Sequence, residues 1–349
     1  MKILVIGGTN FIGPPVVHRL CAMGHEVTVF HRGKTTADLP QGVNYIQGDR
    51  KNFTDFKREF ERISPQVVLD MIPYTQQDAQ DLVNTCKGVA GRVVVISSQD
   101  VYRAYDVLRK LESGSPDPVP LKEDSPLRSR LYPFKDLPER PINVPEDYDK
   151  ILVEKVVMGE PELPSTILRL PMVYGLGDPL HRLFSYLKRM DENRPAIVLE
   201  ESLARWRGSW SYVENVAEAI ALAVTDERAA NRIYNVAEHS SVTEAERISN
   251  IGRIAGWNGE IVVVSTAKMP ESWELAYNTN QDWVIDTTRI REELGYLELI
   301  PQDEALRRTI AWERKHPPDE ISKWAAPELL DYASEDAILA SELTHERHI

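Results

Sequence analysis

The chain has few cysteines and no long apolar run. Only Cys21 and Cys86 occur among its 349 residues, too few for a disulfide framework or a cysteine-based metal site. The histidines show no metal-ligand spacing with cysteine, aspartate or glutamate, so we expect no metal site. No stretch approaches the roughly 20 apolar residues that cross a bilayer, and no signal-peptide cleavage site follows the first apolar run. These absences predict a cytoplasmic protein without a membrane segment.

Basic residues are too few to balance the acidic ones. The sequence contains 41 lysines and arginines against 54 aspartates and glutamates, a formal net charge of −13. Affinity for nucleic acids depends largely on neutralising phosphates, so this charge disfavours nucleic-acid binding. The hydrophobic content of 42% is ordinary for a globular protein, and the chain is long enough to bury a sizeable core.

Short apolar runs alternate with amphipathic stretches through the first 100 residues. The runs are KILVI (2–6), EVTVF (26–30), QVVLDMI (66–72) and RVVVISS (92–98). Such nearly continuous apolar runs are typical of parallel strands covered on both faces. Apolar residues at helical spacing, closed by Gly24, separate the first two runs and complete a strand–helix–strand unit. Repetition of this unit predicts a doubly wound α/β fold, a parallel Rossmann-type sheet with a smaller C-terminal α/β substrate domain.

Residues 103–147 interrupt this alternation with a proline-rich stretch that has no clear period. An uninterrupted loop of this length is usually functional or disordered. Because it lies between two candidate active-site segments, we favour a lid, and a flexible surface insertion is the alternative. From about residue 315 the tail is acidic and amphipathic, and we expect it to pack on the body or on a partner subunit.

A glycine-rich turn, GGTNFIG at residues 7–13, joins the first apolar run to the first helix. Backbone N–H groups of such a turn approach a pyrophosphate at the positive end of the helix. Asn10 stands where a middle glycine often occurs, and asparagine tolerates left-handed backbone better than most residues. The residues expected to contact a dinucleotide here are Gly7, Gly8, Thr9, Asn10, Phe11, Ile12 and Gly13.

The end of the second apolar run, FHRGK, bears on which dinucleotide is bound. A carboxylate at this point would bind the ribose 2′-hydroxyl of NAD, but none occurs before Asp38. His31, Arg32 and Lys34 stand there instead, and the two cations suit the 2′-phosphate of NADP. We therefore expect NADP as the cofactor, with NAD as the alternative.

Six segments, taken in order, resemble the extended short-chain dehydrogenase/reductase family, and more closely its NAD-dependent epimerase/dehydratase branch. They are GGTNFIG, ISSQDVY, YDKILVEK, RLPMVYGLGDP, SYVENVAEAI and DTTRIREELGY. The resemblance runs from residue 1 to about residue 313 and implies a nucleotide-sugar or related polyol as substrate and a homodimer. The implied parts are an NAD(P)-binding domain (1–172, with 103–147 as a lid-like insertion), a substrate-binding domain (173–313, with some segments returning to the first) and an acidic tail (314–349).

The resemblance also implies roles for single residues. Those expected beside the cofactor are Asp49 at the adenine, Ile72 and Pro73 at the ribose, Ser97 at the end of the fourth apolar run, Lys150 at the nicotinamide ribose, and Pro171 and Val173 at the nicotinamide. Ser98 is expected to hydrogen-bond the reacting oxygen of the substrate. Arg207 is expected at a substrate phosphate, and Tyr74 and Tyr102 are further candidates for substrate contacts.

The catalytic tyrosine of the family is not in its usual place. It stands four residues before the lysine, and that position is Glu146 here, whereas Tyr148 precedes Lys150 by only two. Within a helix, residues two apart do not share a face. The helix is predicted over 147–159, and Pro145, which suits a first helical position, would put Tyr148 in the first turn.

Three interpretations are open. In the first, Tyr148 still reaches the site because the helix begins late or is irregular. In the second, another group takes over its role, and the candidates are Asp100 and Tyr102. In the third, the protein binds the cofactor but does little chemistry. Asp100 stands where the sugar dehydratases of the family carry a glutamate, but their partner aspartate is Gln99 here. The leading hypothesis is an NAD(P)-dependent epimerase or reductase in which Ser98 polarises the reacting oxygen and Lys150 orients the ribose.

The alternative hypothesis is a catalytically weak cofactor-binding or RNA-associated protein of the same fold. The start GGTNFIG and the RGK after the second strand also resemble a divergent branch that includes chloroplast stem-loop RNA-binding proteins. Members of that branch often lack the full catalytic set, and fold alone does not choose between the two hypotheses.

Overall fold

The structure is a computed structural model that describes residues 1–135, 140, 144–319 and 330–346. Parts of the predicted insertion (136–139 and 141–143) and of the predicted acidic tail (320–329 and 347–349) lie outside the described residues.

The described secondary structure alternates strands and helices through most of the chain. The strands are β1 (Lys2–Ile6), β2 (Glu26–His31), β3 (Asn44–Gln47), β4 (Val67–Asp70), β5 (Arg92–Ser98), β6 (Ser165–Leu170), β7 (Met172–Tyr174), β8 (Ala196–Glu200), β9 (Trp210–Tyr212), β10 (Arg232–Asn235) and β11 (Glu260–Val264). The α-helices are α1 (Gly13–Ala22), α2 (Lys57–Ile63), α3 (Gln76–Cys86), α4 (Arg103–Leu108), α5 (Lys150–Met158), α6 (Phe184–Asp191), α7 (Glu201–Arg205), α8 (Val213–Thr225), α9 (Glu244–Ala255), α10 (Thr288–Leu294), α11 (Gln302–Lys315) and α12 (Tyr332–Glu346).

Seven strands form one parallel sheet in the order β10-β6-β5-β4-β1-β2-β3. The chain moves outward from β1 to β3 and then crosses back to β4 on the other side of β1. This change of direction opens a crevice at the carboxyl ends of β1 and β4, where open α/β sheets bind their ligands. The predicted doubly wound α/β fold is confirmed, and β10 returns from the second half of the chain to the edge of the sheet.

The residues of β1 alternate between two apolar layers, as the period of a strand requires. Ile3 and Val5 belong to the core that contains the apolar faces of α1 and α8. Leu4 and Ile6 belong to the core on the opposite face, with residues of α2, α3 and α5. All four side chains are fully buried, which explains why the run is apolar at every position rather than at alternate ones.

The second half of the chain adds two short parallel pairs, β7 with β9 and β8 with β11. Helices α6, α9 and α11 pack around them in the same apolar core as α8. Among these strands, β7, β8 and β9 carry no clear alternation of their own in the sequence and were not predicted. Each is three to five residues long, so tertiary packing rather than local pattern decides their conformation.

Helix α5 begins later than predicted, and its first residue is Lys150. The Asp149 carboxylate caps it, accepting hydrogen bonds from the backbone N–H of Ile151 (2.8 Å) and Leu152 (3.2 Å). An aspartate that satisfies two free N–H groups of the first turn fixes a helix start. The expectation that Pro145 opens the helix is therefore wrong, and Tyr148 lies before the helix, in a turn where its N–H donates to the carbonyl of Pro145.

The described part of the insertion is bonded to the body of the protein. It contains α4, and the N–H of Leu121 donates to the carbonyl of Val284 (2.8 Å) while the N–H of Arg128 donates to the carbonyl of Val101 (2.9 Å). Leu121 lies in an apolar cluster with Tyr102 and Trp283. The segment thus lies directly beside the turn that follows β5, and a role as a lid stays a prediction.

The tail helix α12 packs against β8 and β11 through Ile338. Glu335 of this helix is fully buried and accepts hydrogen bonds from the guanidinium groups of Arg189 (3.3 Å) and Arg194 (3.2 Å). Of the two expectations for the tail, packing on the body describes this helix. No helix within the described ranges is long and apolar enough to cross a membrane.

Removing the Glu335 carboxylate tests whether α12 is an integral part of the fold. Glu335→Ala leaves the buried guanidinium of Arg189 unpaired, so we expect the free energy of unfolding to fall by about 3 kcal/mol. The neighbouring Asp336, whose side chain is 61% exposed and pairs with Arg194, provides the control, because Asp336→Asn should cost less than about 1 kcal/mol. Urea denaturation of both variants measures the difference, and equal losses would show that the buried pair is not special.

Candidate active site

The glycine-rich turn has backbone geometry that requires glycine. Gly7 and Gly8 have φ angles of +94° and +83°, a region that residues with a Cβ rarely adopt. A Cβ on Gly13 would lie 2.4 Å from the carbonyl carbon of Gly8, so the helix can approach the turn only because that atom is absent. The left-handed non-glycine residue is Phe11, with φ +41°, and not Asn10 as the sequence pattern indicated.

This turn fits the pyrophosphate of a dinucleotide. It follows β1 and leads into the N-terminus of α1, where backbone N–H groups carry partial positive charge. Ile72, after β4, borders the turn, because a Cβ on Gly7 would meet its side chain at 3.4 Å. Thr9 is tied to the next βα turn by a 2.7 Å hydrogen bond between its hydroxyl and that of Thr35. The crevice therefore combines a narrow backbone cradle with two flanking loops.

The end of β2 carries exposed positive charge. Arg32 and Lys34 are both exposed, on either side of Gly33, whereas the His31 ring lies 5.6 Å from that of Tyr45. The Asp49 carboxylate accepts a hydrogen bond from the backbone N–H of Lys51 (3.0 Å) and caps the 3-10 helix that follows β3. Both cations are thus accessible to a ligand from solvent, while Asp49 already has a local structural role.

A tyrosine and an aspartate meet at the end of β5. The Tyr148 hydroxyl donates a 2.7 Å hydrogen bond to Oδ2 of Asp100, and both residues are almost fully buried, 6% and 7% exposed. Ser98 ends β5, and its hydroxyl accepts a hydrogen bond from the N–H of Asp100 (3.2 Å). Three of the predicted catalytic side chains, those of Ser98, Asp100 and Tyr148, are therefore brought together.

The position of Tyr148 follows from where α5 begins. The rule that residues two apart point in different directions holds inside a helix, and Tyr148 precedes the helix and its cap. Loop geometry after the turn at Pro145 therefore directs its side chain toward Asp100. The exposed side chain of Glu146, at the family's tyrosine position, pairs with Arg140 at 3.8 Å instead, away from this cluster.

The environment raises the pKa values of both partners. Burial raises the pKa of the Tyr148 phenol well above its usual value near 10, and the charge of Asp100 adds to this. A hydrogen bond with Ser98 acts in the opposite direction. Burial also raises the pKa of Asp100, against the lowering effect of Arg128, of the Tyr148 hydrogen bond and of Lys150. The phenol is therefore a weak acid here, and the carboxylate beside it is a stronger base than an ordinary aspartate.

Lys150 lies next to Tyr148 and Asp100 and hydrogen-bonds two backbone carbonyls. Its ammonium donates to the carbonyls of Pro73 (2.8 Å) and Ile96 (2.9 Å) and lies 5.8 Å from the centre of the Tyr148 ring. Burial lowers the pKa of Lys150 to about 8, although the Asp100 and Asp70 carboxylates raise it. The amine therefore joins the loop after β4 to strand β5 at the carboxyl ends of these neighbouring strands.

Aromatic rings surround the tyrosine. The Phe134 ring, from the insertion, lies 5.2 Å from that of Tyr148, and the Tyr74 ring lies 6.0 Å away on another side. Tyr105 contacts Phe134 (6.4 Å) and Trp283 (5.8 Å). Aromatic edges and faces at these separations pack favourably and exclude water. Tyr74, predicted to contact substrate, thus does lie at the cluster, and the insertion covers it.

Several predicted site residues lie elsewhere. Tyr102 is fully buried, and its hydroxyl donates to Asn235 (2.6 Å) and accepts from Arg169 (3.0 Å), so it faces the interior and not a substrate. Ser97 likewise donates to Glu154 (2.5 Å) in the interior, away from the cofactor crevice. For Ser97 the cause is the strand period, because alternate residues at a strand end point to opposite faces.

The remaining predicted positions have mixed surroundings. The guanidinium of Arg207 is bonded to the Asp282 carboxylate (2.6 and 3.0 Å), so its charge is already neutralised. Pro171 is half-buried and Val173 buried at the exit of β6. The buried amide of Gln99, which replaces the dehydratase aspartate, donates to the carbonyl of Val236 (2.9 Å). Within the described ranges, no cluster of histidine, cysteine, aspartate and glutamate could hold a metal ion.

Sequence reasoning missed three residues of this site. Asp149 caps α5, Phe134 covers Tyr148, and Arg128 bonds to both sides of the cluster. A signal for the first was present, since an aspartate before a helical run is typical of an N-cap. No local pattern marks the other two, because both lie in the aperiodic insertion and reach the site only through the tertiary fold.

Comparison with known proteins gives one family and several relatives. The family model of the NAD-dependent epimerase/dehydratase family matches residues 3–237. A 2′-dehydrokanamycin reductase of Streptomyces kanamyceticus is 24% identical over 309 residues, 86% of this chain and 79% of the relative. A chloroplast stem-loop binding protein of 41 kDa (form b) of Arabidopsis thaliana is 28% identical over 130 residues, 34% of either chain. The UDP-glucose 4-epimerase of Thermus thermophilus, solved with NAD, shares the fold with a TM-score of 0.62 at 22% identity, over 90% of this chain and 100% of that one.

Proposed function

Because the chain belongs to the NAD-dependent epimerase/dehydratase family, we propose that it is an enzyme that moves a hydride between a nicotinamide cofactor and a carbon of a sugar-related substrate. The observation that carries this proposal is the 2.7 Å hydrogen bond between Tyr148 and Asp100, beside Ser98 and above Lys150. A proton donor, a proton acceptor and a hydroxyl that can polarise a carbonyl converge at the carboxyl end of β5, the strand beside β4, next to the crevice that would hold the nicotinamide.

In the oxidation direction, the substrate hydroxyl gives its proton to the Tyr148 oxygen while Tyr148 gives its own proton to Oδ2 of Asp100. The bound nicotinamide supplies the hydride acceptor, or the donor in the reverse direction. Because burial and Asp100 raise the pKa of Tyr148, a free phenolate is disfavoured and the phenol acts as a relay between substrate and carboxylate. Asp100 can take the proton only when it is ionised.

Ser98 and Lys150 have supporting roles in this mechanism. The Ser98 hydroxyl ends β5 beside Tyr148, where it can hydrogen-bond the substrate oxygen that becomes a carbonyl. The Lys150 ammonium fixes the loop carbonyl of Pro73 and stabilises the ionised Asp100 through its charge. Above about pH 8 it loses its proton, and this stabilisation is lost with it.

For the cofactor we propose NADP over NAD. The exposed Arg32 and Lys34 support this choice, since no acidic residue follows β2 before Asp38 to accept a ribose hydroxyl. The relative from Thermus thermophilus was solved with NAD, which supports a nicotinamide cofactor in the same crevice. The glycine-rich turn, Ile72 and Pro73 would border it, and Pro171 and Val173 would flank the nicotinamide.

For the substrate we propose a nucleotide-sugar or a related polyol, bound between the residues up to 172 and those of 173–313. The solved relative is a UDP-glucose 4-epimerase, and the relative from Streptomyces kanamyceticus is a 2′-dehydrokanamycin reductase, which supports either epimerisation or reduction. Release of Arg207 from Asp282 would free its charge for a phosphate. A homodimer in the cytoplasm is the proposed state.

The alternative function is an RNA-associated or catalytically weak protein. The match to the chloroplast stem-loop binding protein favours it over 34% of the chain. The net charge of −13 opposes it, because phosphate contacts supply most of the affinity for RNA. Filter binding to RNA at two salt concentrations decides this point, and salt-sensitive binding would support the alternative.

Substitution of the relay pair tests the proposed chemistry. Tyr148→Phe and Asp100→Asn each remove one proton-transfer group, so we expect turnover to fall by about 10²- to 10⁴-fold while cofactor affinity stays within a factor of about two. Because the two groups act as a unit, the double variant should be little worse than either single one. NAD(P)H absorbance, followed with a panel of sugars, UDP-glucose and polyols, measures turnover.

Glu146→Gln is the matched control for this pair. It removes the charge at the family's tyrosine position, where the side chain is 64% exposed, and we expect turnover like that of the unaltered protein. Loss of activity in Glu146→Gln with activity retained in Tyr148→Phe would show that our account assigns the chemistry to the wrong residue. No turnover on any substrate, with cofactor bound, would favour the binding-protein alternative.

Cofactor preference depends on Arg32 in our proposal. Arg32→Ser removes one charge-assisted contact to a 2′-phosphate, so we expect the affinity for NADPH to fall about tenfold while that for NADH is unchanged. Arg58→Ser, on the exposed face of α2, removes the same charge at a distance and serves as the control. Fluorescence titration measures both affinities, and a parallel loss for NADH and NADPH would contradict the assignment.

A further inference from the structure

Arg128 lies in the insertion but makes its contacts at the catalytic cluster. Its side chain is fully buried. Its Nε donates to the backbone carbonyl of Asp100 (2.9 Å), and its Nη1 donates to Oδ2 of Asp149 (3.1 Å) and to the carbonyl of Arg130. One planar guanidinium thus bonds to the residue that accepts the tyrosine's proton and to the residue that follows the tyrosine.

The contacts of Arg128 with Asp100 and Asp149 lie on either side of the hydrogen bond between Tyr148 and Asp100. Tyr148 is not carried by α5, so the helix does not fix its distance from β5. Asp149, the next residue, is fixed by four donors: the N–H groups of Ile151, Leu152 and Tyr132 (2.7 Å) and the guanidinium of Arg128. Of these four, only Arg128 also bonds to the Asp100 side of the cluster. The rigid fork of an arginine suits such a double contact better than a lysine would.

The charge of Arg128 also acts on Asp100. Burial raises the pKa of the Asp100 carboxyl, and the guanidinium is the largest influence that lowers it. The ionisable groups that face Asp100 are Arg128 from the insertion, Tyr148 and Asp149 before α5, Lys150 in α5, and Tyr105 and Asp106 in α4. Two polar atoms of this arrangement, Nη2 of Arg128 and Oδ1 of Asp100, have no hydrogen-bond partner among the described residues, and a catalytic role is one explanation of such atoms.

We propose that Arg128 is a positioning residue of the active site, which sets the geometry of the Tyr148–Asp100 relay and keeps Asp100 available as a base. This inference rests on the proposed function. It makes the insertion a part of the catalytic site, because the residue that aligns the relay belongs to the insertion.

A titration that needs neither substrate nor cofactor tests the charge effect. The protein is labelled with ¹³C at tyrosine Cζ and followed by NMR, and the Tyr148 signal is the one that is lost in Tyr148→Phe. As the pH changes, this signal shifts when Asp100 titrates, and that shift is identified by its absence in Asp100→Asn. In Arg128→Gln the midpoint of this shift should rise by about one pH unit or more, because the charge that opposes burial is gone. In Arg128→Lys it should rise less, since the charge is kept.

Turnover separates alignment from charge. In Arg128→Lys we expect kcat to fall at least about tenfold with KM nearly unchanged, because a lysine restores charge but not the double contact. Arg103→Gln is the control: this arginine of the same insertion pairs with Glu112 and Asp117, and neither the midpoint nor kcat should change.

An unchanged midpoint in Arg128→Gln would overturn the charge effect, and unchanged kcat in Arg128→Lys would overturn the alignment. Should Arg128→Gln fail to fold, Arg128→Lys alone decides the proposal through its kcat and its midpoint. A protein that shows the midpoint shift but turns over no substrate would instead refute the proposed function, so the two failures are distinguishable.

Discussion

The cap that Asp149 places on helix α5 is the interaction on which the candidate site depends. It ends the preceding turn one residue before Lys150, and therefore separates the lysine, which belongs to the helix, from the tyrosine, which does not. Lys150 can then bond to the carbonyl of Pro73 in the loop after β4 and to that of Ile96 in β5, while Tyr148 turns toward Asp100. Without that boundary, a spacing of two residues would direct the two side chains to different faces.

This arrangement changes the chemistry that a tyrosine can do. A tyrosine that shares a helix face with a lysine gains from the nearby ammonium, which favours the phenolate. Tyr148 is instead bonded to a carboxylate in a buried site, and both effects raise its pKa. In our proposal Asp100 therefore accepts the proton of Tyr148, and the phenol accepts the proton of the substrate hydroxyl in its place. Burial of so many charged groups is costly unless each is paired, which is what the contacts of Asp149 and Arg128 provide.

The sequence predicted the fold well because its signals are local. The apolar runs of β1 and β5 and the glycines of the first turn need no knowledge of the rest of the chain, and the strand–helix alternation orders the sheet. The site was predicted only in part. Ser98, Asp100, Tyr148 and Lys150 were predicted by resemblance to a family, and the structure places them close together. The start of the helix was misplaced because a proline was preferred to the aspartate four residues later.

The other misses have a different physical origin. Tyr102 faces the interior because of the turn after β5 and of its partner Asn235, which is far away in sequence. Ser97 faces the interior because of the strand period, which the resemblance to a family did not take into account. Phe134 and Arg128 lie in a proline-rich segment without periodicity, and only its docking on the body gives them a role. The role of such residues cannot be predicted from local sequence patterns.

The structure of the complex with NADP or NAD tests the central claim most directly. Our account predicts that the hydroxyls of Tyr148 and Ser98 lie on the substrate side of nicotinamide C4, with one position about 3 Å from both, and that the Tyr148–Asp100 hydrogen bond is kept. If the pocket holds the cofactor but only Ser98 and Lys150 face it, with the Tyr148 hydroxyl turned away, the relay does not exist and the protein is a binder of the cofactor.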